Sequence, residues 1–122
     1  MERQEVRSLL DDLQGPGLLT DRDRTLILVL YNTGARAQEA ADLRIGHVDW
    51  DGPRVRLHGK GDKWRLCPLW ADTVRQLSAL LGPPPYDPEA PVFTSQRGNS
   101  LGRFGIYKLV RKHAARFDRP HA

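Results

Sequence analysis

The sequence predicts an α+β fold that is mostly helical with a small three-stranded antiparallel sheet. Apolar residues recur at helical spacing on both sides of a central stretch, and within that stretch they alternate with period two. A chain of 122 residues has material for one hydrophobic core. We therefore expect one domain, spanning residues 1–122.

Two helices are predicted before residue 35. Residues 6–13 place four apolar side chains on one helical face, and Gly-Pro-Gly at 15–17 ends that helix. Thr20 is a suitable N-cap for the second helix, which has acidic residues in its first turn. Because segment 25–31 is apolar on every side and Gly34 follows, we expect a buried helix that ends at this glycine.

A short helix and a hairpin are predicted next. Residues 37–43 favour a helix, which puts Arg36 at its start. Residues 54–58 and 64–69 both alternate with period two, and a glycine-rich turn at 59–63 joins them. We expect these segments to form the antiparallel sheet.

The last third returns to helical spacing. Residues 74–81 form a helix that Gly82 and three prolines end, and residues 82–91 are predicted to be a loop. A short apolar segment follows at 92–94, with a turn at 97–100. Residues 104–117 predict a basic helix whose inner face carries Ile106, Leu109, Val110 and Ala114.

Composition excludes several classes of protein. Nineteen Lys and Arg against fifteen Asp and Glu give a net charge of +4, and residues 97–119 are strongly basic, which permits a polyanionic partner. No apolar run approaches the ~20 residues that a membrane span needs, and no secretory signal follows Met1, so we expect a cytoplasmic protein. The single cysteine, Cys67, and the four histidines show no metal-ligand spacing, and no metal is expected.

Three stretches in this order resemble the catalytic domain of tyrosine recombinases, the phage integrase family. Residues 31–43, YNTGARAQEAADL, resemble the family's box I pattern T-G-x-R-x-x-E, and residues 59–69, GKGDKWRLCPL, resemble its hairpin pattern G-K-G-x-K-x-R-x-x-P-L. Residues 92–101 and the helix after them are similar to the segment before box II. The resemblance implies site-specific DNA recombination by metal-free phosphodiester transfer, with double-stranded DNA as partner and no cofactor.

The resemblance also implies an incomplete catalytic domain without a core-binding domain. Box II reads H-x-x-R-H in the family, and here Pro120-His121-Ala122 is similar only to its beginning. The similar run from His113 to Arg116 falls inside the preceding helix, so we interpret it as structural. The family's second arginine and nucleophilic tyrosine have no counterpart, and we expect the chain alone to be inactive. We also expect the apolar faces of the second helix and of the basic helix to be incompletely covered, which would lead to self-association or to a rearranged packing of the last helix.

The resemblance assigns catalytic roles to Arg36, Lys60 and His121. Arg36 would clamp the scissile phosphate, a role that suits a guanidinium because it can bind two oxygens at once. Lys60 would assist the leaving 5′-hydroxyl as a general acid. Without the resemblance, both would be interpreted as solvated turn residues.

Other residues have weaker assignments. Lys63 and Arg65 either contact DNA phosphates or form a solvated hairpin face, and Glu39 pairs with a base or caps a helix. The three tryptophans favour core or hairpin packing over base stacking. The alternative function is a non-catalytic module that binds DNA or self-associates.

Overall fold

The structure is a computed structural model, and it describes residues 20–113. In this range it contains four α-helices and a three-stranded sheet, in the order α1 (Asp21–Thr33), α2 (Ala37–Ala41), a 3-10 turn (Ile45–His47), β1 (Val48–Asp49), β2 (Arg54–Gly59), β3 (Lys63–Pro68), α3 (Ala71–Leu81) and α4 (Arg103–His113). The predicted α+β class is confirmed. The helix predicted over residues 6–13 and the end of the basic helix lie outside the described residues.

Helix α1 begins and ends where its local chemistry requires. The Thr20 hydroxyl accepts a hydrogen bond from the Asp23 amide at 3.1 Å, which is the N-cap contact that the sequence predicts. Gly34 follows the helix with φ of +67°, a left-handed conformation that glycine adopts without strain. Residues 25–29 are buried, so the expectation that the apolar face of this helix would be incompletely covered is wrong. Helices α2 and α3 pack against it.

Helix α2 is shorter than predicted. It ends at Ala41, whereas helix propensity favoured a helix to residue 43. The carbonyl of Leu43 accepts the amide of Val92 at 3.0 Å, and this long-range contact draws the chain out of the helix. The contact also brings the short apolar segment at 92–94 into the core, where Val92 and Phe93 are buried.

The sheet has the order β1-β2-β3 and is antiparallel throughout. Its inner face packs on the core through Val55 and Leu57 of β2. In β3 the apolar residues Trp64 and Leu66 lie on the other face and are exposed, so the alternation in this strand does not mark a buried side. Trp64 packs against His58 of the hairpin, as the preferred interpretation of the tryptophans predicts.

The core joins all of these elements around a central cluster. Its members come from α1, β2, α3, the segment at 92–94 and α4, and include Leu26, Val29, Val55, Leu57, Leu77, Phe93 and Ile106. Phe93 is the largest fully buried side chain. Burial of these side chains supplies most of the favourable free energy of folding.

Asn32 ties the end of α1 to the end of β3 and the start of α3. Its amide nitrogen donates to the Pro68 carbonyl at 3.0 Å. Its amide oxygen accepts from the Trp70 amide at 2.8 Å and from the Thr73 hydroxyl at 2.7 Å. Because Trp70 is an N-cap residue without a side-chain cap of its own, Asn32 caps α3 from another helix.

We expect Asn32→Ala to lower the free energy of unfolding by roughly 2–3 kcal/mol, because three hydrogen bonds are lost at about 1 kcal/mol each. Asn32→Asp keeps the oxygen that accepts from Trp70 and Thr73 but sets a second carboxylate oxygen against the Pro68 carbonyl. Because two of the three hydrogen bonds remain, its loss should be smaller. Urea denaturation of the two variants measures the difference. Equal losses would contradict the capping role.

Candidate phosphate-binding site

A rigid turn between α1 and α2 positions Arg36. The Thr33 hydroxyl donates to the Val29 carbonyl at 2.7 Å and accepts from the Ala35 amide at 3.1 Å. The amide of Gly34 donates to the Leu30 carbonyl at 2.9 Å. Arg36 then takes the N-cap position of α2, as the sequence predicts, with its side chain exposed.

The carboxylate of Glu39 lies at the centre of the site. One oxygen accepts the Arg36 amide at 2.9 Å, which closes the first turn of α2. The other accepts a guanidinium N–H of Arg65 at 2.6 Å. Glu39 is 4% exposed, so its charge is buried and paired. The prediction that Glu39 is structural, as a cap or an ion-pair partner, is confirmed in both forms.

The base of the hairpin turn approaches the same carboxylate. A Cβ placed on Gly59 would lie 3.1 Å from Glu39 Oε2 and 3.5 Å from the Lys63 carbonyl oxygen. The absence of a side chain at this position therefore allows the turn to lie against α2. The box I stretch and the hairpin stretch, separate in the sequence, meet at one carboxylate.

Lys60 lies at the tip of a short turn. Gly59 pairs with Lys63 across the hairpin, so three residues form the loop, and the second and third of them, Gly61 and Asp62, have φ of +73° and +58°. The His58 ring nitrogen and the Asp62 carboxylate are 2.5 Å apart, which fixes the loop against β2. Lys60 is exposed, and within residues 20–113 it forms no ion pair.

Lys63 and Arg65 lie on the same face of β3, the face toward α2. The register pairs them with Gly59 and Leu57. The Arg65 side chain is 45% exposed although it is bonded to Glu39. Burial acts against its charge, but the neighbouring Cys67 sulfur and the Glu39 carboxylate outweigh that effect and raise the pKa of Arg65. Sequence reasoning missed this pair, because nothing local links positions 39 and 65.

The remaining candidates lie elsewhere or outside the described residues. His121 is among the residues that the structure does not describe. His113 is 4% exposed, with its ring nitrogen 3.4 Å from the buried Asp23 carboxylate, so the interpretation of this histidine as structural is supported. Among residues 20–113 there is no group of three or more His, Cys, Asp or Glu side chains that could hold a metal ion. No helix in that range is long and apolar enough to cross a bilayer.

Comparison with known sequences matches this chain to one family and to its members. The profile of the phage integrase family matches residues 1–121. The chain is 37% identical over 121 residues to tyrosine recombinase XerD of Chlamydia pneumoniae, covering 91% of this chain and 40% of that protein. It is 36% identical over 122 residues to XerD of Mycobacterium tuberculosis, covering 92% and 39%. The chain therefore spans about two fifths of the length of these relatives.

Comparison with solved structures shows the same fold. The crystal structure of XerA recombinase superposes with a TM-score of 0.74 at 20% identity, covering 99% of this chain and 42% of that one. The XerH site-specific recombinase, solved as a pre-cleavage complex with its difH substrate, superposes with a TM-score of 0.70 at 26% identity, covering 100% and 38%.

Proposed function

Because the chain belongs to the phage integrase family, we propose that it supplies part of the active site of a tyrosine recombinase that carries out site-specific DNA recombination. The observation that carries this proposal is the buried Glu39 carboxylate, which bonds the Arg36 backbone and the Arg65 side chain and lies beside Gly59 at the base of the Lys60 turn. A cytoplasmic location is part of this proposal.

In the proposed mechanism Arg36 binds the scissile phosphate. In phosphodiester transfer a nucleophile attacks phosphorus, and negative charge develops on the two non-bridging oxygens as the new bond forms. A guanidinium can donate to both oxygens at once and keeps its charge at any physiological pH. The exposed side chain of Arg36 and its fixed backbone meet these requirements.

Lys60 would act on the leaving group. The bond from phosphorus to the 5′-oxygen breaks, and that oxygen needs a proton, which an ammonium at the tip of the hairpin can donate. Lys63 and Arg65 would contact neighbouring backbone phosphates, and His121 remains a proposed catalytic residue. Since the Arg65 guanidinium is bonded to Glu39, we assign Arg65 a positioning role first and a DNA contact second.

The resemblance places the nucleophilic tyrosine in a later motif. Tyr86 donates its hydroxyl hydrogen bond to the Gly82 carbonyl at 2.6 Å, and Tyr31 and Tyr107 lie on helices α1 and α4. We assign the nucleophile to none of these three. These 122 residues by themselves are proposed to bind DNA without cleaving it.

We expect the chain to bind a DNA duplex at low salt, with Arg36→Ala and Lys60→Ala each weakening binding about tenfold. Each lost phosphate contact should also reduce the slope of log Kd against log salt by about one. Fluorescence anisotropy of a labelled duplex across a salt series measures both quantities.

Two control variants distinguish binding at the proposed site from general attraction between a basic protein and DNA. Arg75→Ala removes one exposed cation from α3 and should leave the affinity nearly unchanged. Arg36→Lys keeps the charge but loses the two-point contact, so it should bind more weakly than the wild type. If Arg75→Ala weakens DNA binding as much as Arg36→Ala does, the DNA is attracted only by the overall positive charge of the protein, and the proposed site is wrong.

Self-association is a second proposal, favoured by the exposed apolar surface of α4. Phe104 is 73% and Tyr107 51% exposed on this helix, and large exposed aromatic groups tend to acquire a partner. Analytical ultracentrifugation should show association that increases with concentration and is weakened by Phe104→Ser with Tyr107→Ser. A monomer at every concentration would remove this proposal.

A further inference from the structure

The face of the sheet opposite the one that carries Arg65 has exposed aromatic, apolar and basic side chains. We call it the outer sheet face and define it by Arg54, Arg56, His58, Trp64, Leu66 and His47. The register sets His58 opposite Trp64 and Arg56 opposite Leu66, so these four side chains form cross-strand pairs on one surface. Val55 and Leu57 point the other way, into the core.

The centre of the outer sheet face is apolar and exposed. Trp64 is 50% and Leu66 57% exposed. The Trp64 ring stacks on His58 with centroids 4.5 Å apart and planes at 14°, and the His47 ring meets it edge-on at 5.0 Å. These ring contacts fix the orientation of the indole, which lowers the entropy cost of binding a partner against it.

Three arginines, Arg44, Arg54 and Arg56, lie around this apolar centre, and the acids Asp49 and Asp62 pair with Arg54 and His58. The Arg56 guanidinium carbon lies 5.8 Å from the centroid of the Trp64 ring, and its Nη2 donates to the Gly46 carbonyl at 3.4 Å. Arg44 donates to the Glu89 carbonyl at 2.6 Å. Neither arginine forms an ion pair with a carboxylate of residues 20–113, whereas Arg54 pairs with Asp49 at 3.3 Å. Partial burial, and after it the charges of Arg56 and Arg44, lower the pKa of His47, as expected in a positive environment.

An open groove of about 430 Å³ lies on this face, lined by Gly46, His47, Val48, Asp49, Arg54, Arg56 and Leu66. Trp and Arg are enriched among the residues that dominate binding energy at protein interfaces, and such interfaces have an apolar centre with a polar rim. Guanidinium groups without carboxylate partners complement carboxylates of a partner.

We propose that the outer sheet face binds a peptide segment of another protein in which acidic residues flank an apolar side chain. The apolar side chain would pack on Leu66 and Trp64, and the carboxylates would pair with Arg56 and Arg44. Two observations favour a peptide over duplex DNA. The surface is apolar at its centre, which a phosphate backbone does not complement, and it faces away from the side of the sheet that carries Lys63 and Arg65.

The test selects a displayed library of random peptides on the wild-type chain, with depletion on an Arg56→Glu variant. The peptides that remain are synthesised and titrated into labelled protein. We expect sequences that combine Asp or Glu with a large apolar residue, and amide chemical-shift changes confined to β2, β3 and residues 44–47. Arg56→Glu and Leu66→Ser should each weaken binding about tenfold or more.

Arg75→Glu is the charge-reversal control on exposed α3. It also breaks the ion pair between Arg75 and Asp72, which is far from the outer sheet face in the chain, and it should leave peptide affinity within about twofold. All variants are at exposed positions, and their amide spectra report that they fold. The proposal is overturned if the selection on the wild-type chain enriches no peptide that Arg56→Glu fails to bind. It is overturned as well if the amide chemical-shift changes map to α2 and the hairpin turn, or if Arg75→Glu weakens peptide binding as much as Arg56→Glu does. It is also overturned if duplex DNA shifts the outer-face amides and displaces the peptide.

Discussion

Replacing Arg65 with alanine is expected to lower the free energy of unfolding by about 3 kcal/mol, because it leaves the Glu39 carboxylate without its cation. Glu39 is 4% exposed and bonds Arg65 at 2.6 Å, so water replaces the lost partner poorly. We place the loss toward the lower end for a buried ion pair, since the Arg65 side chain is 45% exposed and the pair is partly screened.

A double-mutant cycle separates this pair from general charge effects. Adding Glu39→Gln to Arg65→Ala removes the unpaired charge and should recover part of the lost stability. Lys63→Ala removes a cation two residues away that forms no ion pair within residues 20–113, and it should change stability by less than about 0.5 kcal/mol. Chemical denaturation measures Arg65→Ala, Glu39→Gln, the double variant and Lys63→Ala. A loss in Arg65→Ala no larger than in Lys63→Ala would contradict the role assigned to Glu39.

Phe93→Ala should lower the free energy of unfolding by about 3–5 kcal/mol, the usual cost of removing a buried aromatic ring. Phe93 is 1% exposed and is the largest fully buried side chain, yet it belongs to no helix or strand. Its backbone carbonyl accepts the Leu101 amide at 2.9 Å, and the preceding Val92 amide bonds Leu43 at 3.0 Å. The backbone on both sides is therefore held, and the surroundings cannot easily close the cavity.

Phe93→Leu is the control, because it keeps an apolar side chain and leaves a smaller cavity. We expect it to cost less than half as much as Phe93→Ala. Thermal and urea unfolding of the two variants and the wild type measure both losses. A cost below about 1 kcal/mol for Phe93→Ala would show that the segment at 92–94 packs only peripherally.

Elements set by local chemistry could be predicted from the sequence. The Thr20 cap, the Gly34 stop and the position of Arg36 at a helix start depend on neighbours within a few residues, and all three are confirmed. The hairpin could also be predicted, because its alternating strands flank a glycine-rich turn.

Features set by long-range contacts could not be predicted. Helix α2 ends early because Leu43 bonds Val92, a residue 49 positions later. The central position of Phe93 in the core depends on the same contact. A short apolar segment in the sequence does not show how deeply its residues are buried. Pairing of Glu39 with Arg65 depends on how the hairpin packs on α2, which period-two alternation does not specify.

The Glu39–Arg65 contact and the outer sheet face share one strand, and this constrains how the gene can change in length. Lys63 and Arg65 face α2, whereas Trp64 and Leu66 between them face away. Deleting or inserting a single codon within β3 would shift the register by one residue and exchange the two sides of the strand. Such a change would remove the partner of the buried carboxylate and the exposed indole together, so we expect relatives of this protein to keep the length of β3 unchanged.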